Sequence, residues 1–123
     1  MPKPITITWL AEPEPQDFPA ALSYLLLLYP KKQAASFIKD LKAAALKQFK
    51  AKDIFRASGL PLLPVTNSHV QQDERKIRSG RKLSPLLLVR DPSHAKVIIA
   101  DGYHRLCAVY SFDEDAVIPC LIA

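Results

Sequence analysis

Residues 101–105, Asp-Gly-Tyr-His-Arg, place a carboxylate, a glycine, an imidazole and a guanidinium within five consecutive positions. The β-branched run 97–99 precedes them and an apolar stretch follows, which predicts a strand that turns at the glycine into a helix. Amides in the first turn of a helix have no intrahelical acceptor, and the helix dipole is positive at that end. This segment therefore predicts a site for an anionic ligand, most naturally a phosphate group.

Each residue of this turn has chemistry that suits such a ligand. Gly102 can adopt a positive φ and lets a ligand approach the backbone, and Tyr103 contributes a free amide. Arg105 offers a planar fork of donors for phosphate oxygens. His104 donates a hydrogen bond or carries a proton. Asp101 could hold Mg²⁺ together with the phosphate, or orient a hydroxyl nucleophile, so His104 and Asp101 are the candidate catalytic residues.

A structural interpretation of the same turn competes with the ligand site. In that interpretation Asp101 caps the helix and Gly102 only permits the turn. Arg105 then pairs with Asp113 or Glu114 instead of a ligand. Local spacing leaves both interpretations open, because short motifs often match by chance.

The basic segment 75–82 is a second candidate surface, since five of its eight residues are Lys or Arg. It predicts either a groove for a phosphate-rich ligand, with Lys76 as a ligand contact, or a solvated helix face laced with ion pairs. His69 lies beside it and either reaches a ligand or is an ordinary surface residue. The segment has no interleaved aromatic residues that would stack on bases, and no cluster of carboxylates for a nuclease.

Length and composition set the outer limits. The 123 residues, 49% hydrophobic and 24% charged, predict one domain with one core. The net charge of +5 favours anionic partners without choosing among them. Cys107 and Cys120 have neither the spacing nor the histidine partners of a zinc site, so we predict no bound metal of that kind. The leucine run 25–28 is too short to cross a bilayer, and we predict that it is one buried face of a helix. We expect a cytoplasmic protein without membrane contact.

The pattern of apolar residues and chain breakers predicts the elements around the turn. In the N-terminal half, 1–64, we expect a strand at 5–10 and helices at 17–29, 31–50 and 51–57. In the C-terminal half, 65–123, we expect a helix from Asn67 or Ser68 to about Gly80. Two strands follow at 86–90 and 96–100, separated by a turn at 91–94, and then a helix at 103–112 and a strand at 117–122. The sequence thus predicts a single α+β domain, 1–123, with a small mixed sheet and an N-terminal helical extension.

Residues 65–123 resemble the ParB/sulfiredoxin superfamily, which includes domains labelled ParB-like nuclease. The likeness rests on the order of a basic helix, Pro85–Val89, a hairpin to Val97–Ile99, the Asp-Gly-Tyr-His-Arg turn and Ile118-Pro119. The resemblance implies a ParB/sulfiredoxin-like topology. It also implies that His104 and Arg105 contact the phosphates of a nucleotide.

The Asp-Gly-x-His-Arg form is similar to the branch that contains free-serine kinases, in which a carboxylate and a histidine serve phosphoryl transfer. This implies Asp101 and Glu74 as acidic catalytic residues, with ATP, ADP or CTP and Mg²⁺ as cofactors. Tyr103 stands where sulfiredoxins carry their reactive cysteine, so we do not expect sulfinic-acid reduction. The N-terminal half has no counterpart in the superfamily.

Three functions follow as alternatives. The first is a domain that binds a nucleotide or another phosphate ligand at the turn, either as a binding module or as a phosphotransferase or nucleotide hydrolase. The second is a nucleic-acid-binding or nuclease module that uses segment 75–82. The third is a non-catalytic module whose helical half contacts a protein partner or a second copy, with exposed leucines on the 17–29 helix as its sign.

Overall fold

The computed structural model describes residues 5–123, so residues 1–4 of the predicted domain lie outside the description. Its helices are α1 (Asp17–Leu25), α2 (Lys31–Ala43), α3 (Ala51–Ser58), α4 (Ser68–Arg78) and α5 (Tyr103–Phe112). Its strands are β1 (Lys47–Lys50), β2 (Leu86–Asp91), β3 (Lys96–Asp101) and β4 (Val117–Ile122). The predicted α+β class is confirmed.

The four strands form one mixed sheet in the order β1-β4-β2-β3. β2 and β3 are an antiparallel hairpin, joined by a 3₁₀ turn at Pro92–His94 where the sequence predicts a turn. β4 runs parallel to β2 and antiparallel to β1. A β-bulge between Leu87 and Leu88 shifts the register, so Asp101 at the end of β3 lies opposite Leu87. Bulges of this kind redirect the side chains beside them.

Both faces of the sheet are covered by helices, which explains why the first four residues of β2, 86–89, are a continuous apolar run. Leu86 and Leu88 face a cluster that includes buried residues of α3, α4 and α5. Leu87 and Val89 face the opposite cluster, which includes buried residues of α1 and α2. The N-terminal helices α1 and α2 therefore supply one of the two layers around the sheet.

Two predictions for the N-terminal half were wrong. The helix predicted at 31–50 ends at Ala43, because Ala44 is extended and residues 47–50 form β1. Pairing of Lys47–Lys50 with Val117–Cys120 overrides the helical spacing in that segment. The strand predicted at 5–10 reduces to a single bridge between Trp9 and Leu83.

The leucine run 25–28 also departs from its prediction as one buried helix face. α1 ends at Leu25, which is fully buried, and the next three residues form a turn before Pro30. Leu26, Leu27 and Leu28 are 45%, 82% and 49% exposed. Exposed leucines are thus present, but they lie in the turn after α1 and not on the helix where the third functional alternative expects them.

The C-terminal half follows its prediction closely. The Asn67 side chain accepts hydrogen bonds from the amides of His69, at 3.0 Å, and Val70, at 3.2 Å, and so begins α4. α4 ends at Arg78, just before Gly80.

Cys107 and Cys120 are free and buried. Within residues 5–123, no helix combines the length and the apolar character needed to span a membrane.

Candidate functional site

The turn between β3 and α5 depends on its glycine. Gly102 has a φ of +111°, in the region that other residues rarely adopt. A Cβ at this position would lie 2.7 Å from Leu86 Cγ and 2.9 Å from Arg105 Nη2. The missing side chain therefore allows both the backbone torsion and the close approach of the Arg105 guanidinium.

Helix α5 begins directly after this glycine. Within residues 5–123 no side chain caps the helix. Leu106 N–H donates to Gly102 O at 2.9 Å, which is the first bond of the helical ladder. The amides of residues 103–105 thus lie at the uncapped, positive end of the helix, as the sequence predicts.

A cavity of about 160 Å³ opens beside this helix end. It is lined by residues 101–105 and by His69, Gln72 and Asp73 of α4. Cavities that enclose a whole drug-sized ligand measure roughly 300–1,000 Å³. The cavity can therefore enclose one oxyanion group, and the rest of a larger ligand would lie outside it.

Arg105 is the cation of the site, and its side chain is part-buried. Its Nη2 donates to Asp101 Oδ2 at 3.0 Å and to Pro85 O at 3.3 Å. Its Nε is buried and finds no hydrogen-bond partner within the described part of the chain. One donor of the guanidinium is thus left unsatisfied next to the cavity, which is unusual for a buried polar atom.

The competing structural interpretation is wrong about the partner of this arginine. Asp113 Oδ1 accepts from the Asp115 amide, and Glu114 Oε2 accepts from Tyr110 Oη. Both lie beyond the far end of α5. Arg105 is paired with an acidic residue, but that residue is Asp101, the other charged member of the predicted site.

Asp101 does not cap α5, because its Oδ2 is bonded to Arg105. Burial raises the pKa of the Asp101 carboxyl, and the attraction of Arg105 offsets this only in part. The charges of Asp17 and Asp73 raise the pKa further. Asp101 therefore takes up a proton more readily than an exposed aspartate does.

Two histidines from different helices meet at the cavity. The ring centroids of His69 on α4 and His104 on α5 are 4.9 Å apart. Burial lowers the pKa of His104, and the neighbouring His69 lowers it further, while Asp73 acts in the opposite direction. At neutral pH His104 is thus mainly a neutral imidazole with one donor and one acceptor nitrogen. His69 is a cavity residue as well as an exposed one.

Asp73 is the site residue that sequence reasoning missed. Its side chain is 12% exposed and borders the cavity, and burial raises the pKa of its carboxyl. Glu74, the acidic residue predicted for this helix, instead borders a different concavity with Arg75. A signal for Asp73 was present, because it lies three residues after the buried Val70 and four before the buried Ile77, on the inner face of α4.

Lys76 does not line the cavity. Its Nζ lies 3.7 Å from Asp73 Oδ1, so it acts on the site through that carboxylate. Arg78 lies over the ring of Phe112 at 4.9 Å. These contacts, and the exposure of all its basic side chains, agree with the interpretation of segment 75–82 as a solvated face with local pairs.

Within residues 5–123, no group of three or more His, Cys, Asp or Glu side chains could hold a metal ion. Mg²⁺ commonly binds through one or two carboxylates together with phosphate oxygens and water. Asp73 and Asp101 are the two carboxylates present, and Oδ2 of Asp101 is already bonded to Arg105. Mg²⁺ at this site remains a prediction that depends on a bound phosphate.

Comparisons of the chain with family models, curated proteins and solved structures give no match. The ParB/sulfiredoxin resemblance of residues 65–123 therefore stays a prediction.

Proposed function

We propose that the cavity at the N-terminus of α5 binds a phosphate group of a nucleotide or of another phosphorylated small molecule. The observation that carries the proposal is one small polar cavity shared by an uncapped helix N-terminus, the part-buried Arg105 and the imidazoles of His69 and His104. Free amides, a guanidinium and imidazole N–H groups are the donors that oxyanions bind in proteins.

The two carboxyls that border the same cavity make anion binding depend on pH. Ionised Asp73 and Asp101 repel an anion, and Arg105 alone does not neutralise both. Burial favours the protonated form of each carboxyl, since it raises both pKa values. Anion binding should therefore take up a proton and become tighter as the pH falls.

If the site is catalytic, its groups suit phosphotransfer or nucleotide hydrolysis. The neutral His104 can accept a proton from an attacking water or hydroxyl group. Arg105 and the α5 amides can stabilise the charge that develops on the phosphate. We place this function in the cytoplasm, because free thiols such as Cys107 and Cys120 fit a reducing compartment.

Isothermal titration calorimetry tests the proposal with phosphate, pyrophosphate, ADP, ATP and CTP, each with and without Mg²⁺. The variants are His69→Ala and His104→Ala, with His94→Ala as the control, because His94 is an exposed histidine in the β2–β3 turn. We expect the wild type and the control to bind at least one ligand, and each cavity variant to bind about tenfold more weakly. Absence of binding, or equal affinity in all four proteins, would refute the proposal.

A nucleic-acid interface on segment 75–82 is the second candidate. Within the described residues Arg75, Arg81 and Lys82 are exposed and form no ion pair, and Arg75 and Arg81 line one concavity. Such a surface predicts binding of DNA or RNA that weakens steeply with salt. If the double variant Arg81→Ala/Lys82→Ala binds a single-stranded oligonucleotide as the wild type does at low salt, this candidate is wrong.

A further inference from the structure

Asp17, the first residue of α1, is a buried carboxyl that does not line the cavity. Its Oδ2 accepts a hydrogen bond from Ser84 Oγ and another from the Glu14 amide, the second at 3.2 Å. The Glu14 amide also lies 3.2 Å from Ser84 Oγ. These contacts tie the start of α1 to the residue just before Pro85, across 67 positions of sequence.

The same short segment receives Arg105. Pro85 O accepts from Arg105 Nη2, and Leu86 occupies the space beside Gly102. Asp17 thus binds the side chain of Ser84 while Arg105 binds the carbonyl of the following residue. Because Pro85 has a fixed φ, a displacement of Ser84 would be transmitted to the carbonyl that holds the guanidinium.

A second link between Asp17 and the site is electrostatic. The groups that act on the Asp101 carboxyl are Arg105 on α5, Asp73 on α4 and Asp17 on α1. The charge of Asp17 raises the pKa of Asp101, as that of Asp73 does. Removing the Asp17 charge should therefore make Asp101 easier to ionise.

We propose that Asp17 is a positioning residue of the phosphate site, which holds Ser84 and thereby fixes segment 84–86, against which Arg105 is set. The inference rests on the proposed phosphate function. It gives α1 a role in the site, although Asp17 touches neither the cavity nor a ligand in it.

The test measures sulfate binding by calorimetry from about pH 8 to about pH 4, because sulfate keeps its charge over that range while the aspartates titrate. The variants are Asp17→Ala and Ser84→Ala, which remove the contact, and Asp17→Asn, which keeps an acceptor but removes the charge. Asp40→Asn, at an exposed position on α2, is the matched control.

We expect Asp17→Ala and Ser84→Ala to weaken sulfate binding about fivefold or more, as loss of one hydrogen bond to a charged group would do. Asp17→Asn should retain most of the affinity, and its binding should strengthen only at a lower pH than in the wild type. The control should match the wild type in both respects. If Asp17→Ala does not fold, Ser84→Ala and Asp17→Asn carry the test.

A ligand-free readout separates the two proposals. The Arg105 Nε–H resonance reports the guanidinium directly, and we expect it to shift in Ser84→Ala but not in Asp40→Asn. If the wild type binds no sulfate, the phosphate site is refuted together with this inference. If the wild type binds sulfate but the Asp17 and Ser84 variants match it in affinity, pH profile and Arg105 resonance, only the inference fails.

Discussion

Asp101 Oδ2 and Arg105 Nη2 are 3.0 Å apart, and they join the end of β3 to the first turn of α5 around Gly102. The two side chains are only 18% and 16% exposed. The turn is thus closed from within by an ion pair, and the cavity lies beside that pair. The ion pair that closes the turn and the proposed phosphate site therefore share these two residues.

A double-mutant cycle tests this relationship. Arg105→Met leaves the part-buried Asp101 carboxyl without its cation and should lower the free energy of unfolding by about 1–3 kcal/mol. Asp101→Asn/Arg105→Met should cost less than the sum of the two single variants, with a coupling of about 1–3 kcal/mol. Urea denaturation measures all four proteins. Additive effects would show that the pair contributes no interaction of its own.

Gly102→Ala should destabilise the protein far more than Gly80→Ala. Both glycines have a positive φ, but a Cβ at Gly80 meets nothing within 4 Å, whereas a Cβ at Gly102 meets Leu86 and Arg105. We expect about 1–2 kcal/mol for the torsion at Gly80. Overpacking should add about 1–3 kcal/mol at Gly102. Equal losses in urea denaturation would contradict the close packing of the turn.

Asp73→Asn should stabilise the protein at neutral pH. Burial raises the pKa of Asp73 in the folded state above its ordinary value of 3.8. The favourable contribution of its protonated form is therefore complete below that ordinary value and is lost as the pH rises through the raised pKa. The gain from Asp73→Asn should shrink as the pH falls through the same range.

Thermal melting at several pH values measures this effect. Asp53→Asn is the control, because Asp53 is exposed and forms an ion pair with Arg56, three residues later in the same helix. It should change the melting temperature little at any pH. A loss of stability in Asp73→Asn at neutral pH would mean that the contact with Lys76 outweighs the cost of burial.

His69→Ala should raise the pKa of His104. Burial and the neighbouring His69 both lower that pKa below the ordinary value of 6.5, and the substitution weakens both effects. NMR titration of the His104 ring gives the midpoint, which we expect below 6.5 in the wild type and closer to it in the variant. An unchanged midpoint would show that the two rings do not interact.

Local signals predicted the elements that carry the site. Asn67 begins α4 with its side chain, and Gly102 marks the turn into α5, so each boundary depends on residues close in sequence. β1 could not be predicted in this way, because residues 47–50 become a strand only by pairing with β4, about 70 positions away.

The candidate site was predicted only in part. The residues of the turn are contiguous, and the structure brings them together around one cavity. Asp73 lines the cavity and Glu74 does not, although the spacing of Val70 and Ile77 in the sequence already marks the inner face of α4 on which Asp73 lies. The pairing of Arg105 with Asp101 depended on the positive φ of Gly102, which brings the two side chains together.

The central claim is that an oxyanion binds at the N-terminus of α5, and a titration of the ¹⁵N-labelled protein with phosphate tests it most directly. The N-terminus of α2 is the internal control, because it too has no side-chain cap within the described residues and carries Lys31 and Lys32. We predict saturable shifts of the amides of Tyr103, His104 and Arg105, with much smaller shifts at residues 31–33. Equal shifts at both helix ends, or none at residues 103–105, would contradict the claim.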